Sequence, residues 1–190
     1  MIIGISGKIG TGKSHVVKYL KRKLKFEVID AEKIKHELIE EPNIKEKLLD
    51  KLGMKILHPN GTIHRKKLTL RCAKDTNKLK YLSENLDLLI GEKIKQIVKD
   101  DDDNYIIEST QPDKQSITSL FDVSVLITTS KRIAYTRLLR KYPKKVIDNL
   151  WRWQKNTRAY DYIIENKTSI KDLKDDINEL ISEMFKNQKK

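Results

Sequence analysis

Ile2-Ile3-Gly4-Ile5-Ser6-Gly7-Lys8-Ile9-Gly10-Thr11-Gly12-Lys13-Ser14 opens the chain, and its reading decides the fold class. Ile2 to Ser6 is an apolar run that reads as a buried strand, and the amphipathic stretch from about Lys13 to Lys23 reads as a helix. Between them, Gly7 to Ser14 matches G-x-x-x-x-G-K-[ST], in the strand-to-helix context where that pattern binds phosphate. Phosphate is a dense anion that needs several donors at once. The glycines let the backbone curl so that successive N–H groups point inward. The helix that follows adds unpaired N–H groups and the positive end of its dipole. The residues expected around the phosphates are Gly7, Lys8, Ile9, Gly10, Thr11, Gly12, Lys13, Ser14 and His15. Lys13 is placed to reach the β- and γ-phosphates, and Ser14 to offer its hydroxyl to Mg²⁺. Lys8 is open between a phosphate contact and solvent.

Outward from this loop, further short apolar runs alternate with amphipathic stretches. Phe26 to Asp30, Tyr105 to Glu108, Val123 to Thr128 and Tyr162 to Glu165 read as strands. Alternation of this kind predicts an α/β fold with a mostly parallel, five-stranded sheet covered on both faces. The long interval 32–99 carries leucines and isoleucines at three-to-four-residue spacing, so it reads as several helices. Pro59-Asn60-Gly61 marks a turn within it. An insertion there can hold an acceptor, complete the core, or do both. Asp100 to Asp103 reads as a solvated loop rather than a metal site.

Ligands of parallel sheets bind beyond the carboxyl ends of the strands. Asp30 and Glu32 lie at the end of the second strand, and Glu108 at the end of the third. Asp30 suits a helix N-cap and also an acceptor contact. Glu32 is the candidate base for an acceptor hydroxyl, and Glu108 a candidate Mg²⁺ neighbour. After the fourth strand, Arg137 and Arg140 are spaced to share a helix face, where two guanidinium groups suit a transferring phosphoryl group. With Trp151, Arg152 and Trp153 beyond a break near Pro143, the region 131–157 reads as a lid. The two tryptophans are assigned to packing of that lid rather than to stacking on single-stranded nucleic acid.

The 190 residues fit one domain, 1–190. Apolar content of 38% and charged content of 35% indicate a folded chain with a heavily solvated surface. The net charge of +13 is spread along the chain as a lysine excess, which favours a solubilising surface over a nucleic-acid partner. A lone cysteine, Cys72, excludes an intramolecular disulfide and suits a reducing compartment. No apolar run reaches the length of a membrane span, so a cytoplasmic, membrane-free protein is expected. The oligomeric state is not legible.

In combination these residues resemble the dephospho-coenzyme A kinase family over nearly the whole chain. The opening strand and loop look like the family's own. Val28-Ile29-Asp30-Ala31-Glu32 resembles its "V-I-D-A-D" segment. Gly53, Ile56-Leu57 and Asn60-Gly61-Thr62-Ile63-His64-Arg65-Lys66-Lys67-Leu68 resemble its "D-G-x-L-D-R-x-x-L" element. Arg137-Leu138-Leu139-Arg140, Gln154 and Asp161 to Asn166 resemble its lid and last strand. The resemblance implies a three-layer P-loop core of nucleoside-kinase type, with a helical acceptor region and a lid. It implies ATP as donor and the ribose 3′-hydroxyl of dephospho-coenzyme A as acceptor. It also puts Glu32 in the catalytic carboxylate position, Arg65 on the acceptor side, and Arg140 in the lid's grip on the nucleotide.

Three departures stand out. Glu32 replaces the second aspartate of "D-A-D". Asp87-Leu88-Leu89-Ile90 replaces the family's "H-P-x-I". Glu108-Ser109-Thr110-Gln111 replaces most of "D-x-P-L-L-F-E". The changes fall on the acceptor side, while the phosphate loop is complete. A (deoxy)nucleoside monophosphate kinase, or a non-catalytic nucleotide- or nucleic-acid-binding P-loop protein, are the alternative readings.

Overall fold

A computed structural model describes residues 1–98, 103–155, 158–167 and 169–187. Strands β1 (Ile2–Ser6), β2 (Glu27–Asp30), β3 (Tyr105–Glu108), β4 (Val123–Thr128) and β5 (Tyr162–Glu165) form one sheet in the order β2-β3-β1-β4-β5. Every pairing is parallel. The helices are α1 (Lys13–Leu24), α2 (Ala31–Leu38), α3 (Pro42–Leu52), α4 (Arg65–Ala73), α5 (Thr76–Ile97), α6 (Lys131–Leu138), α7 (Lys144–Trp153) and α8 (Ile170–Asn187). All five expected strands are present. The second starts one residue late, because Lys25 closes α1 in the left-handed region at φ 62° and the ladder is entered only when the Glu27 amide bonds the Asn104 carbonyl.

The strands' two-residue period divides the apolar side chains between two cores. Ile3, Ile5, Ile106, Val125, Ile127 and Ile164 point to the face covered by α1 and α8, against Val16, Leu20, Ile177 and Leu180. Ile29, Tyr105 and Ile107 point to the opposite face, against Leu38, Leu48, Leu52, Leu86, Ile90 and Ile94. The helices between β2 and β3 are therefore a structural layer as well as a possible acceptor region. Each fully buried leucine or isoleucine here is worth about 1.5–3 kcal/mol relative to exposure.

Gly4 is placed by close approach. A Cβ on its inner side would sit 2.3 Å from the Phe121 ring, so only glycine lets that ring close over β1. The predicted turn also forms: the His58 amide donates to the Thr62 carbonyl at 2.8 Å, and an isolated bridge joins Leu57 to Ile63. Of the four-aspartate run, Asp100 to Asp102 lie outside the described residues, as do Lys99, Asn156 and Thr157 at the edges of the expected helical and lid regions. Asp103 accepts a hydrogen bond from the Tyr105 hydroxyl at 3.3 Å. Among the described residues, no helix is long and apolar enough to cross a membrane.

Candidate active site

The loop between β1 and α1 is held in its curl by glycines in conformations that L side chains rarely adopt. Gly7, Gly10 and Gly12 have φ of 148°, 83° and 95°. A Cβ at Gly7 would lie 2.3 Å from the Ile127 carbonyl oxygen, and one at Gly12 would lie 2.2 Å from Asn166 Nδ2. Thr11 is buried, and its Oγ1 donates to the Lys8 carbonyl at 2.9 Å. The Lys13 ammonium lies inside the curl. Its Nζ donates to the Gly7 carbonyl at 2.9 Å and to the Lys8 carbonyl at 3.4 Å. Burial pushes its pKa down, while Glu108, Glu32 and Asp30 pull it back up. All three carboxylates are thus within electrostatic reach of the ammonium.

Register explains that proximity. Asp30 pairs with Glu108 across β2 and β3, and Ile5 pairs with Glu108 across β1 and β3. The carboxyl ends of three adjacent strands therefore open onto one place. Ser14 Oγ donates to Glu108 Oε1 at 2.9 Å. Burial raises the Glu108 pKa, opposed by the Ser14 hydrogen bond and by Lys13. Asp30 caps α2, with Oδ1 accepting from the Glu32 amide at 2.9 Å and the Lys33 amide at 3.3 Å. The Glu32 carboxylate is held from its own helix. Lys35 Nζ donates to its two oxygens at 2.9 and 3.1 Å, and His36 Nε2 lies 3.3 Å from Oε1. Desolvation pushes the Glu32 pKa up, but the Lys35 charge and the hydrogen bonds from His36 and Lys35 outweigh it and hold it below the usual carboxylate range. His15 is exposed on the first turn of α1, and Arg65 is exposed as the first residue of α4.

The region after β4 is built differently from its sequence expectation. α6 ends at Leu138, and Arg140 lies in the turn beyond it, so Arg137 and Arg140 do not share a helix face. Pro143, which is the N-cap of α7, restricts Tyr142, and the amides of Lys141 and Tyr142 both fold back onto the Leu138 carbonyl. Arg140 is exposed. Arg137 grips the phosphate loop itself. Nη1 donates to the carbonyls of Gly10 (3.0 Å) and Thr11 (3.3 Å), and Nη2 to the Lys167 carbonyl (3.1 Å) and Asn166 Oδ1 (3.5 Å). Lys8 is half-buried, and its Nζ sits 5.1 Å from the Trp151 ring centroid. Trp153 packs, partly buried, against the helical core.

Two side chains hold the loop in ways the sequence pattern did not assign. Asn166, just past β5, donates from Nδ2 to the Thr11 carbonyl at 2.7 Å. Gln154, at the end of α7, accepts the Ile9 amide on Oε1 at 2.7 Å. Both stand in segments that carry the family resemblance, and that was the only signal that singled them out.

The family model for dephospho-CoA kinase matches residues 1–172. A dephospho-CoA kinase of Fusobacterium nucleatum is 30% identical over 180 residues, covering 91% of this chain and 93% of the relative. A dephospho-CoA kinase of Aquifex aeolicus is 25% identical over 190 residues, covering 96% of each. Among solved structures, dephospho-CoA kinase from Campylobacter jejuni superposes with a TM-score of 0.65 at 22% identity, covering 98% of both chains. With the phosphate loop, the parallel sheet and the strand-end carboxylates in place, the chain belongs to the dephospho-CoA kinase family.

Proposed function

We propose that this chain transfers the terminal phosphoryl group of ATP to the ribose 3′-hydroxyl of dephospho-coenzyme A, giving coenzyme A. Family membership makes it an ATP-dependent phosphotransferase. The observation that carries the reading is the convergence of Lys13, Ser14 and Glu108 with Asp30 and Glu32 at the carboxyl ends of β1, β2 and β3.

Each residue has a role that follows from its placement. The loop N–H groups and Lys13 hold the β- and γ-phosphates, and Lys13 then exchanges its carbonyl partners for phosphate oxygens. Ser14 and Glu108 would hold Mg²⁺. A hydroxyl and a carboxylate 2.9 Å apart are hard oxygen donors, and two protein ligands suffice for an ion that keeps waters and phosphate oxygens. When bound, that ion neutralises charge shared between the β- and γ-phosphates. Glu32 orients the acceptor hydroxyl and takes its proton as that oxygen bonds the γ-phosphorus and ADP leaves. Asp30 fixes the start of α2 and so the position of Glu32. Arg65 lies on the acceptor side, and Arg140 swings from its exposed turn onto the nucleotide.

The test is an assay with ATP and Mg²⁺ on dephospho-coenzyme A against a panel of nucleoside monophosphates. Turnover on dephospho-coenzyme A alone is expected. Turnover confined to a nucleoside monophosphate would replace the acceptor and keep the kinase chemistry.

A further inference from the structure

The chain's departures from the family pattern lie beside a second feature of the molecule. A cavity of about 590 Å³ opens between the start of α5, the loop 109–117 and α7. Its lining includes Lys114, Arg152 and Lys155, with Asp113 as its acidic member and Trp153 as a wall. Three cations against one carboxylate leave an excess of positive charge in a concave space.

Two of the three cations have fixed partners. Asn149 Nδ2 donates to the Ala73 carbonyl at 2.7 Å, which leaves Asn149 Oδ1 to accept from Arg152 Nη2 at 2.6 Å. Arg152 is thus fixed through α7 to the end of α4. Lys114 Nζ stands 4.0 Å from the Trp153 ring centroid. Its loop is pinned at both sides of it. Gln111 Nε2 reaches the Trp153 carbonyl at 3.5 Å, and Ser109 Oγ donates to Gln115 Oε1 at 2.6 Å. The Gln115 carbonyl lies so close to Gly91 that a Cβ there would be 1.8 Å away, which locks the loop onto α5. Partial burial pushes the Lys114 pKa down and Asp87 pulls it partly back.

Two chain segments link the lining of the cavity to the phosphate site. Trp153 precedes Gln154, which holds the Ile9 amide. Gln111 follows Glu108 by three residues in the loop that leaves β3. We propose that this cavity holds the diphosphate of the acceptor, with Lys114, Arg152 and Lys155 contacting its oxygens and the Trp153 side chain walling the site. The inference rests on the reading of the acceptor as dephospho-coenzyme A, whose adenosine is joined to the rest of the molecule through a diphosphate. It gives the loop that lost the family's "D-x-P-L-L-F-E" element a binding task of its own.

The experiment is steady-state kinetics of Lys114→Gln, Arg152→Gln and the double variant, with ATP and dephospho-coenzyme A varied in turn. The expected result is a KM for dephospho-coenzyme A raised at least about tenfold in the double variant, with kcat within about twofold and KM for ATP unchanged. Each single variant carries part of the loss, so the test survives an unstable double variant. Raising salt should weaken acceptor binding in the parent chain more than in the double variant. An unchanged KM in chains that turn over dephospho-coenzyme A overturns this site and leaves the proposed function standing. A parent chain with no turnover on dephospho-coenzyme A overturns both.

Discussion

Arg137 and Gly10 meet at 3.0 Å, guanidinium to carbonyl oxygen, and that bond ties the helix after β4 to the phosphate loop. The same side chain also bonds Thr11, Asn166 and Lys167, so one planar fork bridges three segments. Arg137→Ala should cost about 1–2 kcal/mol of stability, because hydrogen bonds to a charged group are worth up to about 3 kcal/mol and this one is near the surface. It should also raise KM for ATP. Arg137→Lys should recover little of either, since one ammonium cannot make the same set of bonds. Urea unfolding and ATP kinetics check both.

Gly12→Ala tests the curl of the loop. The new methyl group meets Asn166 Nδ2 at a φ of 95°. A non-glycine residue held there costs on the order of 1–3 kcal/mol. Nucleotide affinity should fall by more than the loss in melting temperature accounts for, which calorimetric titration with ATP-Mg²⁺ and a thermal melt will compare.

Lys13→Ala should lower kcat by at least about 100-fold, the scale of removing one preorganised donor from a developing charge. The far-ultraviolet circular dichroism should be unchanged, because the side chain bonds only loop carbonyls and supports no helix or strand. Near-normal turnover would remove Lys13 from its role.

Glu32→Gln separates orientation from nucleotide binding. The carboxylate lies on α2, outside the loop, so kcat should drop about 100-fold or more while KM for ATP moves little. A defect confined to ATP binding would exclude Glu32 from the acceptor side.

Lys35→Met gives a pH signature. Because Lys35 and His36 lower the Glu32 pKa in the folded chain, the stability this provides is fully present above the unfolded carboxylate value of about 4.3. It is lost as pH falls from there toward the folded pKa. The stability gap between the parent chain and Lys35→Met should therefore be wider at pH 7 than at pH 3.5, measured by urea unfolding at both. An equal gap would mean the pair does not hold Glu32 in solution.

How much of this was legible in the sequence depended on whether a residue's task was local. Gly7 to Ser14 and the five strands announce themselves through short-range pattern, since curl and pleat are set by immediate neighbours. The shared face of Arg137 and Arg140 failed because helical spacing says nothing of where a helix stops. Here the turn before Pro143 ends it at Leu138. Asn166 and Gln154 reach the loop across 155 and 145 residues of chain. Arg152 is aimed by Asn149, itself fixed by Ala73. Only packing in three dimensions brings such partners together, and no period in the sequence encodes it.

The strand order has a kinetic consequence. β1 precedes the other four strands in the chain, yet its two neighbours are β3 and β4, which begin at Tyr105 and Val123. More than a hundred residues must be synthesised before it gains its first ladder partner. During translation that apolar segment has to wait unpaired, and refolding should be slow for a chain of this size, since distant pairings are entropically expensive to close.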